Sequence, residues 1–214
     1  GYFYAITNRA IGKYDKKTGQ PVKKWKDVPG GPFIHMDSGV VIDGRLYCAH
    51  SNFPATPMAS SIEIFDANTL EHIGSHSFGV FEGSATWVDR RDGFWWVVFA
   101  HYAGKGGETG KGPERTTLVK FDSDWQRVAG YTYPAEVIAK FGDMSNSGGS
   151  WGDDGLLYIT GHDNAEIYAM ALPEAGSVLV LKNTLPVSAE GQGIAWDRSE
   201  PGVMYTIVRS KTEV

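Results

Sequence analysis

A four-part motif returns along this chain at intervals of tens of residues, and a repeat of that length restricts the fold more than any local signal. Its first part is a short strand-like run closed by an aspartate. The instances are Gly39-Val40-Val41-Ile42-Asp43, Ala85-Thr86-Trp87-Val88-Asp89, Gly149-Ser150-Trp151-Gly152-Asp153 and Gly193-Ile194-Ala195-Trp196-Asp197. Aspartate in that position suits a turn. A glycine turn follows, then a strand carrying an aromatic: Leu46-Tyr47, Trp95-Trp96, Leu157-Tyr158 and Met204-Tyr205, with Tyr2-Phe3-Tyr4 in the same slot. The third part alternates apolar and polar residues before an aromatic and an aspartate, as in Ile11-Gly12-Lys13-Tyr14-Asp15, Ile62-Glu63-Ile64-Phe65-Asp66 and Leu118-Val119-Lys120-Phe121-Asp122. An edge-type strand ends each unit, at residues 22–25, 72–78, 127–133 and 178–185.

Four short antiparallel strands per repeat make one blade of a β-propeller, with the blades arranged radially around a channel. The fold class is therefore all-β, and residues 1–214 form a single propeller domain. Counting slots gives three full blades and two partial ones, which predicts five blades with the first and last incomplete. The first blade lacks an inner strand, and the chain stops at residues 211–214 where a third strand is due. Either the chain is a fragment of a slightly longer domain or the closure is irregular. A four-bladed ring with one spare strand is the structural alternative.

Two segments interrupt the repeat. Residues 103–115, rich in Gly and Lys, read as a mobile surface loop rather than a P-loop: the first glycine required ahead of Gly110-Lys111 falls on Lys105, and Gly112 replaces the Ser/Thr. Residues 134–141 read as one short helix, with Pro134 at its start, Gly142 at its end and Val137, Ile138 and Phe141 on one face. This helix is expected beside the channel mouth, as a packing plug or a lid. The tryptophans at inner positions read as blade-to-blade packing, and the lysines from Lys13 to Lys26 as a solvated edge.

Twenty Lys and Arg against 25 Asp and Glu give a net charge of -5, so no basic face neutralises phosphates and nucleic acid is not an expected partner. No apolar run reaches the length of a membrane span. Cys48 lies within an apolar run and reads as a small buried hydrophobe. The chain opens on a strand-like Tyr2-Phe3-Tyr4-Ala5-Ile6, so a signal peptide was removed or never present, and the compartment stays open between cytoplasmic and extracytoplasmic.

In a propeller the starts of first strands and the ends of second strands share one face around the channel mouth. The repeat places His35, Met36-Asp37, Glu82-Gly83, Asn146-Ser147 and Glu190-Gly191-Gln192 at the starts, and Asn8-Arg9, His50, His101, His162 and Arg209 at the ends. Histidine is both a common metal ligand and a proton carrier near neutral pH. His50, His101 and His162 with Glu82 or Glu190 would hold a divalent cation, Ca, Zn, Fe or Mn. Without a metal, His162 beside Asp163 or His50 beside Asp37 would act as a general base. Glu190 joins the catalytic histidines as ligand or base. Arg209, counted with them, and Arg9 would steady an anionic substrate. His35, Asp37, Asn146 and Gln192 would orient it. The histidines fall three, five and four residues after their aromatics, offsets that need bulges to aim alike.

The runs His35-Met36-Asp37-Ser38-Gly39, Leu46-Tyr47-Cys48-Ala49-His50-Ser51-Asn52, Gly161-His162-Asp163, and residues 145–151 and 190–197 resemble bacterial propellers labelled cycloisomerases. More distantly the chain is similar to the gluconolactonase and senescence-marker propellers. That resemblance implies a propeller whose channel holds a divalent cation on Glu, Asn and Asp at strand ends, here Glu82, Asn146 and Glu190. It implies a small-molecule hydrolase, lyase or cycloisomerase acting on a lactone, an ester or a cyclic or unsaturated acid. The alternative is a non-catalytic module that binds a sugar, peptide or protein at the same mouth, since a propeller scaffold hosts unrelated activities.

Overall fold

Two-residue Asp-Gly turns set the hairpins. Asp43 and Gly44 take φ of 49° and 76°, Asp92 and Gly93 take 52° and 80°, and such turns match the right-handed twist of the strands they join. The computed structural model describes residues 1–208. Among them β1 (Tyr2–Thr7), β2 (Ala10–Asp15) and β3 (Pro21–Lys26) form a three-stranded antiparallel blade. β4 (His35–Ile42), β5 (Arg45–Ser51), β6 (Ser60–Asp66) and β7 (His72–Gly79) form the first four-stranded one. The next is β8 (Ser84–Arg91), β9 (Phe94–Ala100), β10 (Thr117–Phe121) and β11 (Arg127–Thr132). Then come β12 (Gly148–Trp151), β13 (Leu157–Thr160), β14 (Glu166–Ala171) and β15 (Val180–Pro186), and a two-stranded sheet of β16 (Ile194–Trp196) and β17 (Met204–Thr206). The repeat thus yields antiparallel blades in sequence order. Among the described residues there are four blades of three or four strands, one fewer than the five expected, and β16–β17 follows them as a two-strand ribbon.

The third-slot aspartates close equivalent turns. Asp15 Oδ1 accepts the backbone N–H groups of Lys17 and Thr18, both at 3.0 Å, and Asp66 Oδ1 those of Asn68 and Thr69 at 2.8 and 2.7 Å. Asp89 departs from the expectation. The β8 hairpin turns three residues later, at Asp92-Gly93, and leaves Asp89 inside the strand at 2% exposure.

The core is split among the gaps between blades. Trp87, Trp96, Trp151, Leu157, Ile159 and Tyr168 fill one gap; Tyr47, Trp95, Phe99 and Phe121 another. Trp87 is wholly buried, and a Cβ on Gly149 would collide with its indole, so glycine is required there. Removing such a ring costs about 3–5 kcal/mol. Trp196 also packs between sheets, its ring 5.0 Å from Tyr158 of β13, while part of it lines the channel wall.

The helix α1 (Ala135–Phe141) buries Val137 and Phe141 against the same gap, with the Phe141 ring 5.1 Å from Tyr133 and 6.4 Å from Tyr168. None of its residues lines the channel, so it is a packing plug. The 103–116 segment is tied down at several points: Ala103 N–H donates to Asp143 O, Lys111 N–H to Glu108 O, and Glu108 Oε1 accepts the N–H of Met58 at 2.9 Å. No helix is long and apolar enough to cross a membrane among the described residues.

The first blade and the β16–β17 ribbon belong to separate sheets. Side chains tie the two together. Lys16 pairs with Asp197 and donates to Ser199 Oγ at 2.8 Å, and Phe3 stacks on Tyr205 at 5.8 Å.

Candidate channel site

The inner strands β1, β4, β8, β12 and β16 enclose a channel of about 750 Å³. Two of them are interrupted by β-bulges. In β4 the pairing jumps from Met36 opposite His50 to Gly39 opposite Cys48, and in β8 from Ala85 opposite Phe99 to Trp87 opposite Val98. The residues set out of register, Asp37, Ser38 and Thr86, all line the channel, as expected of bulges that re-aim side chains near a site.

The rim at the strand starts carries His35, Asp37, Phe53, Tyr102, Lys105, Met144, Ser147, His162 and Gln192. His35 Nε2 lies 3.8 Å from Asp37 Oδ2, and its ring is 5.0 Å from Phe53. Burial, with help from His50 and the Lys105 ammonium, holds the His35 imidazole down to about 4, so it is neutral at pH 7. Tyr102 is buried and its phenol is pushed up by that burial, which keeps it protonated.

His162 is bonded through Nδ1 to Asp163 Oδ1 at 2.6 Å; the histidine side chain is 28% exposed and the aspartate 71%. The loop holding them is clasped from behind. Gly191 N–H donates to Asn164 O at 3.2 Å, Gln192 N–H to Gly161 O at 3.3 Å, and Gln192 Nε2 to His162 O at 3.4 Å. Gly191 has φ of 54° and packs so tightly under the His162 carbonyl that a Cβ would overlap it. The backbone beneath His162 is thus set by a glycine no other residue replaces without strain.

The remaining expected residues that the structure describes do not join this rim. His50 is internal to its blade: Nε2 accepts the N–H of Ile34 at 3.1 Å, and Nδ1 faces Ser61 Oγ at 2.9 Å. Because Nε2 accepts, Nδ1 carries the proton. Ser61 Oγ then donates to Glu63 Oε1 at 2.6 Å, and His72 Nε2 meets Glu63 Oε2 at 2.8 Å. Both His50 nitrogens are occupied by Ile34 N–H and Ser61 Oγ, so it serves as a support for the segment leading into His35. His101 and Glu82 line a separate cavity of about 400 Å³, where Glu82 pairs with Arg127 at 3.0 Å. Glu190 is exposed and lines neither cavity. Asn146 is wholly buried as a structural bracket: Oδ1 accepts Trp87 Nε1–H at 2.6 Å, and Nδ2 donates to Gly148 O at 3.1 Å and Thr160 O at 2.6 Å. Arg9 is used by Asp27 at 2.6 Å and Val28 O at 2.7 Å. Arg209 lies outside the described residues.

No group of three His, Cys, Asp or Glu side chains able to hold a metal ion gathers among the described residues. The donors His50, His101, His162, Glu82 and Glu190 are dispersed over two cavities, a blade interior and the surface, so they do not fit a shared three-histidine centre. Reasoning from the sequence missed Phe53, Tyr102 and Lys105. They follow the histidine-bearing strand ends by one to four residues, so extending the reading past each histidine finds them.

The opposite end of the channel is ionic. Arg198 pairs with buried Asp89, whose Oδ2 also accepts the Trp151 N–H at 2.9 Å. Burial raises the Asp89 carboxyl even against Arg198 and these amides. Asp197 beside Lys16 goes the other way: burial opposes its charge, but the lysine and Ser199 outweigh it and hold it down to about 2.

Radial antiparallel sheets around a lined channel define a β-propeller, and comparison with solved structures agrees. The chain is similar to Myxococcus xanthus glutaminyl cyclase, with TM-score 0.61 and 11% identity over 92% of this chain and 78% of that one. It is similar to a Bacteroides caccae protein of unknown function, TM-score 0.52 and 10% identity, of whose length it spans 62%. It is similar also to the WD40 repeats of RRP9, TM-score 0.51 and 11% identity, covering 67% of that chain. At these identities the likeness establishes the fold and leaves the chemistry open. No protein-family model matches, and no curated protein matches.

Proposed function

We propose that the protein is a small-molecule enzyme whose site is the rim of the channel and whose general base is His162. The observation that carries this reading is the 2.6 Å His162–Asp163 pair on the wall of a channel of about 750 Å³, a volume suited to a small ligand. With Nδ1 donating to Asp163, Nε2 of the neutral ring is the proton acceptor. The substrate class that fits is a lactone, an ester or a related cyclic acid derivative. Its apolar body packs on Phe53, Tyr102 and Met144, and an anionic group faces Lys105, whose Nζ sits 5.7 Å from the Phe53 ring.

In lactone hydrolysis water forms a bond to the carbonyl carbon while its proton passes to His162 Nε2. The ring C–O bond then breaks, and the imidazolium returns that proton to the departing oxygen, giving the hydroxy acid. Asp163 stabilises the imidazolium only modestly, since it is well solvated. Ser147 and Gln192 are the rim groups available to orient the carbonyl. The same base also serves an internal nucleophile, which makes cyclisation by acyl transfer the closest relative of this reaction. The existence of a glutaminyl cyclase on a similar propeller supports catalysis on this scaffold.

The test is a panel of γ- and δ-lactones, aryl esters and peptides beginning with glutamine, run on wild type and His162→Ala. Turnover of one class, reduced 10²–10⁴-fold in the variant with thermal stability unchanged, is the expected result. Binding of a panel member without turnover, equal in both proteins, would instead assign the rim to a binding module.

A further inference from the structure

The segment of residues 103–116 that interrupts the repeat builds a second cavity, away from the channel. It holds about 400 Å³ and is bounded by Phe81, Glu82, His101, Lys111, Arg115 and Arg127 among others. Its floor is rigid: His101 N–H donates to Thr116 Oγ1 at 3.1 Å, and that hydroxyl meets Ser145 Oγ at 2.5 Å, both of the latter residues being fully buried. His101 is itself 8% exposed, and its Nε2 donates to Glu82 O at 3.2 Å. The neutral ring therefore leaves a bare lone pair on Nδ1, which has no hydrogen-bond partner among the described residues. Burial and the nearby Lys111 ammonium keep this imidazole below its ordinary value, which preserves that lone pair at pH 7. A Cβ on Gly83 (φ 121°) would come within 2.9 Å of Nε2, so the ring is held from that side.

The cationic walls are unequally satisfied. Arg127 is paired with Glu82, and Lys111 with Glu108 at 2.7 Å. Glu114 turns to the Gly112 N–H at 3.0 Å. Arg115 has no ion pair among the described residues. Above it Phe81 stands 87% exposed, a cost in apolar hydration that packing within the chain does not relieve.

We infer that this cavity binds an N-acylated amino-acid carboxylate with an apolar side chain, either as a free N-acyl amino acid or as the C-terminal residue of a peptide. The three complements meet three features of that one unit. Its carboxylate pairs with Arg115, its amide N–H donates to His101 Nδ1, and its side chain covers Phe81. A plain anion would leave Nδ1 and Phe81 unused, and an uncharged ligand would leave Arg115 unused. The inference stands whether or not the channel is catalytic.

Isothermal titration with N-acetyl-L-leucine and with N-acetyl-L-leucinamide tests it. The acid is expected to bind at least about tenfold more tightly than the amide, and Arg115→Gln to remove that preference. Phe81→Ser weakens both, and His162→Ala changes neither. Arg115 and Phe81 are exposed, so both variants keep the fold, which their melting temperatures check. A leucine-ending pentapeptide that binds more tightly than N-acetyl-L-leucine assigns the cavity to peptide C-termini; equal affinity assigns it to the free acyl amino acid. Equal binding of acid and amide, undiminished binding by Arg115→Gln, loss of binding in His162→Ala, or no heat at millimolar ligand would each overturn the inference.

Discussion

Acidification should unload His35 from the fold, and the size of the effect follows from its surroundings. Its ordinary value is 6.5 and the folded site holds it to about 4. The unfolded chain therefore takes up a proton as pH falls through 6.5, while the native protein refuses it until about 4. Stability contributed by this group is full above 6.5 and is lost as pH falls between those values. That difference corresponds to about 3 kcal/mol at the low end of that window, and to about 2 kcal/mol at pH 5. The side chain is 20% exposed, so the figure needs little discount for solvent. His50 and His101 are lowered as well and steepen the same slope. Urea denaturation of wild type and His35→Asn at pH 7 and pH 5 reads the difference. The variant loses some stability at both pH values with its Phe53 contact, so the quantity compared is the change between them. A smaller loss in the variant by about 2 kcal/mol is expected, together with an imidazole NMR midpoint near 4. A midpoint near 6.5, or identical pH dependence in both proteins, would refute the reasoning.

Other perturbations have equally definite outcomes. Asn146→Leu strands the Trp87 indole N–H and the Gly148 and Thr160 carbonyls, and should cost at least about 3 kcal/mol in chemical denaturation. Arg198→Met leaves the buried Asp89 carboxylate unpaired at pH 7. Because Asp89 is raised by burial, its proton returns readily in acid, so the penalty seen by denaturation at pH 7, about 1–2 kcal/mol after allowing for the exposed arginine, should shrink at pH 4. A penalty that does not change with pH would contradict an Arg198–Asp89 ion pair whose carboxyl burial raises. His50→Phe removes the acceptor for the Ile34 N–H; hydrogen exchange at Ile34 should accelerate by tenfold or more, while exchange in β9 stays as it was.

The blades were legible because glycine turns and alternation are short-range signals. Asp43-Gly44 and the Asp15 and Asp66 turns need only local chain geometry. The site was less legible. Side chains on a strand alternate, so a single extra residue reverses which wall they face, and the bulges at Asp37-Ser38 and Thr86 are decided by pairing with a neighbouring strand. Hence His50, aligned with His162 by repeat, ends inside its blade, and His101 opens into a different cavity. Asn146 looked like a ligand donor because an amide at a strand entrance does not reveal that an indole 59 residues away in the sequence, at Trp87, has claimed it. Lys105, Phe53 and Tyr102 lie in connections, where no periodicity marks the inward direction. The 2.6 Å His162–Asp163 pair was readable because the two residues are adjacent.

The contact between the first blade and the β16–β17 ribbon differs in kind from those among the first four blades. The junctions among the first four blades are crossed by large interlocked apolar cores, whereas here, among the described residues, a lysine, an aspartate, a serine and one stacked pair make contact. Ions in solution weaken a lysine–aspartate clasp and leave buried indoles unaffected. Added salt therefore acts on this junction through Lys16 and Asp197, and only weakly, since both side chains are largely covered, while Trp87 and its neighbours hold as before.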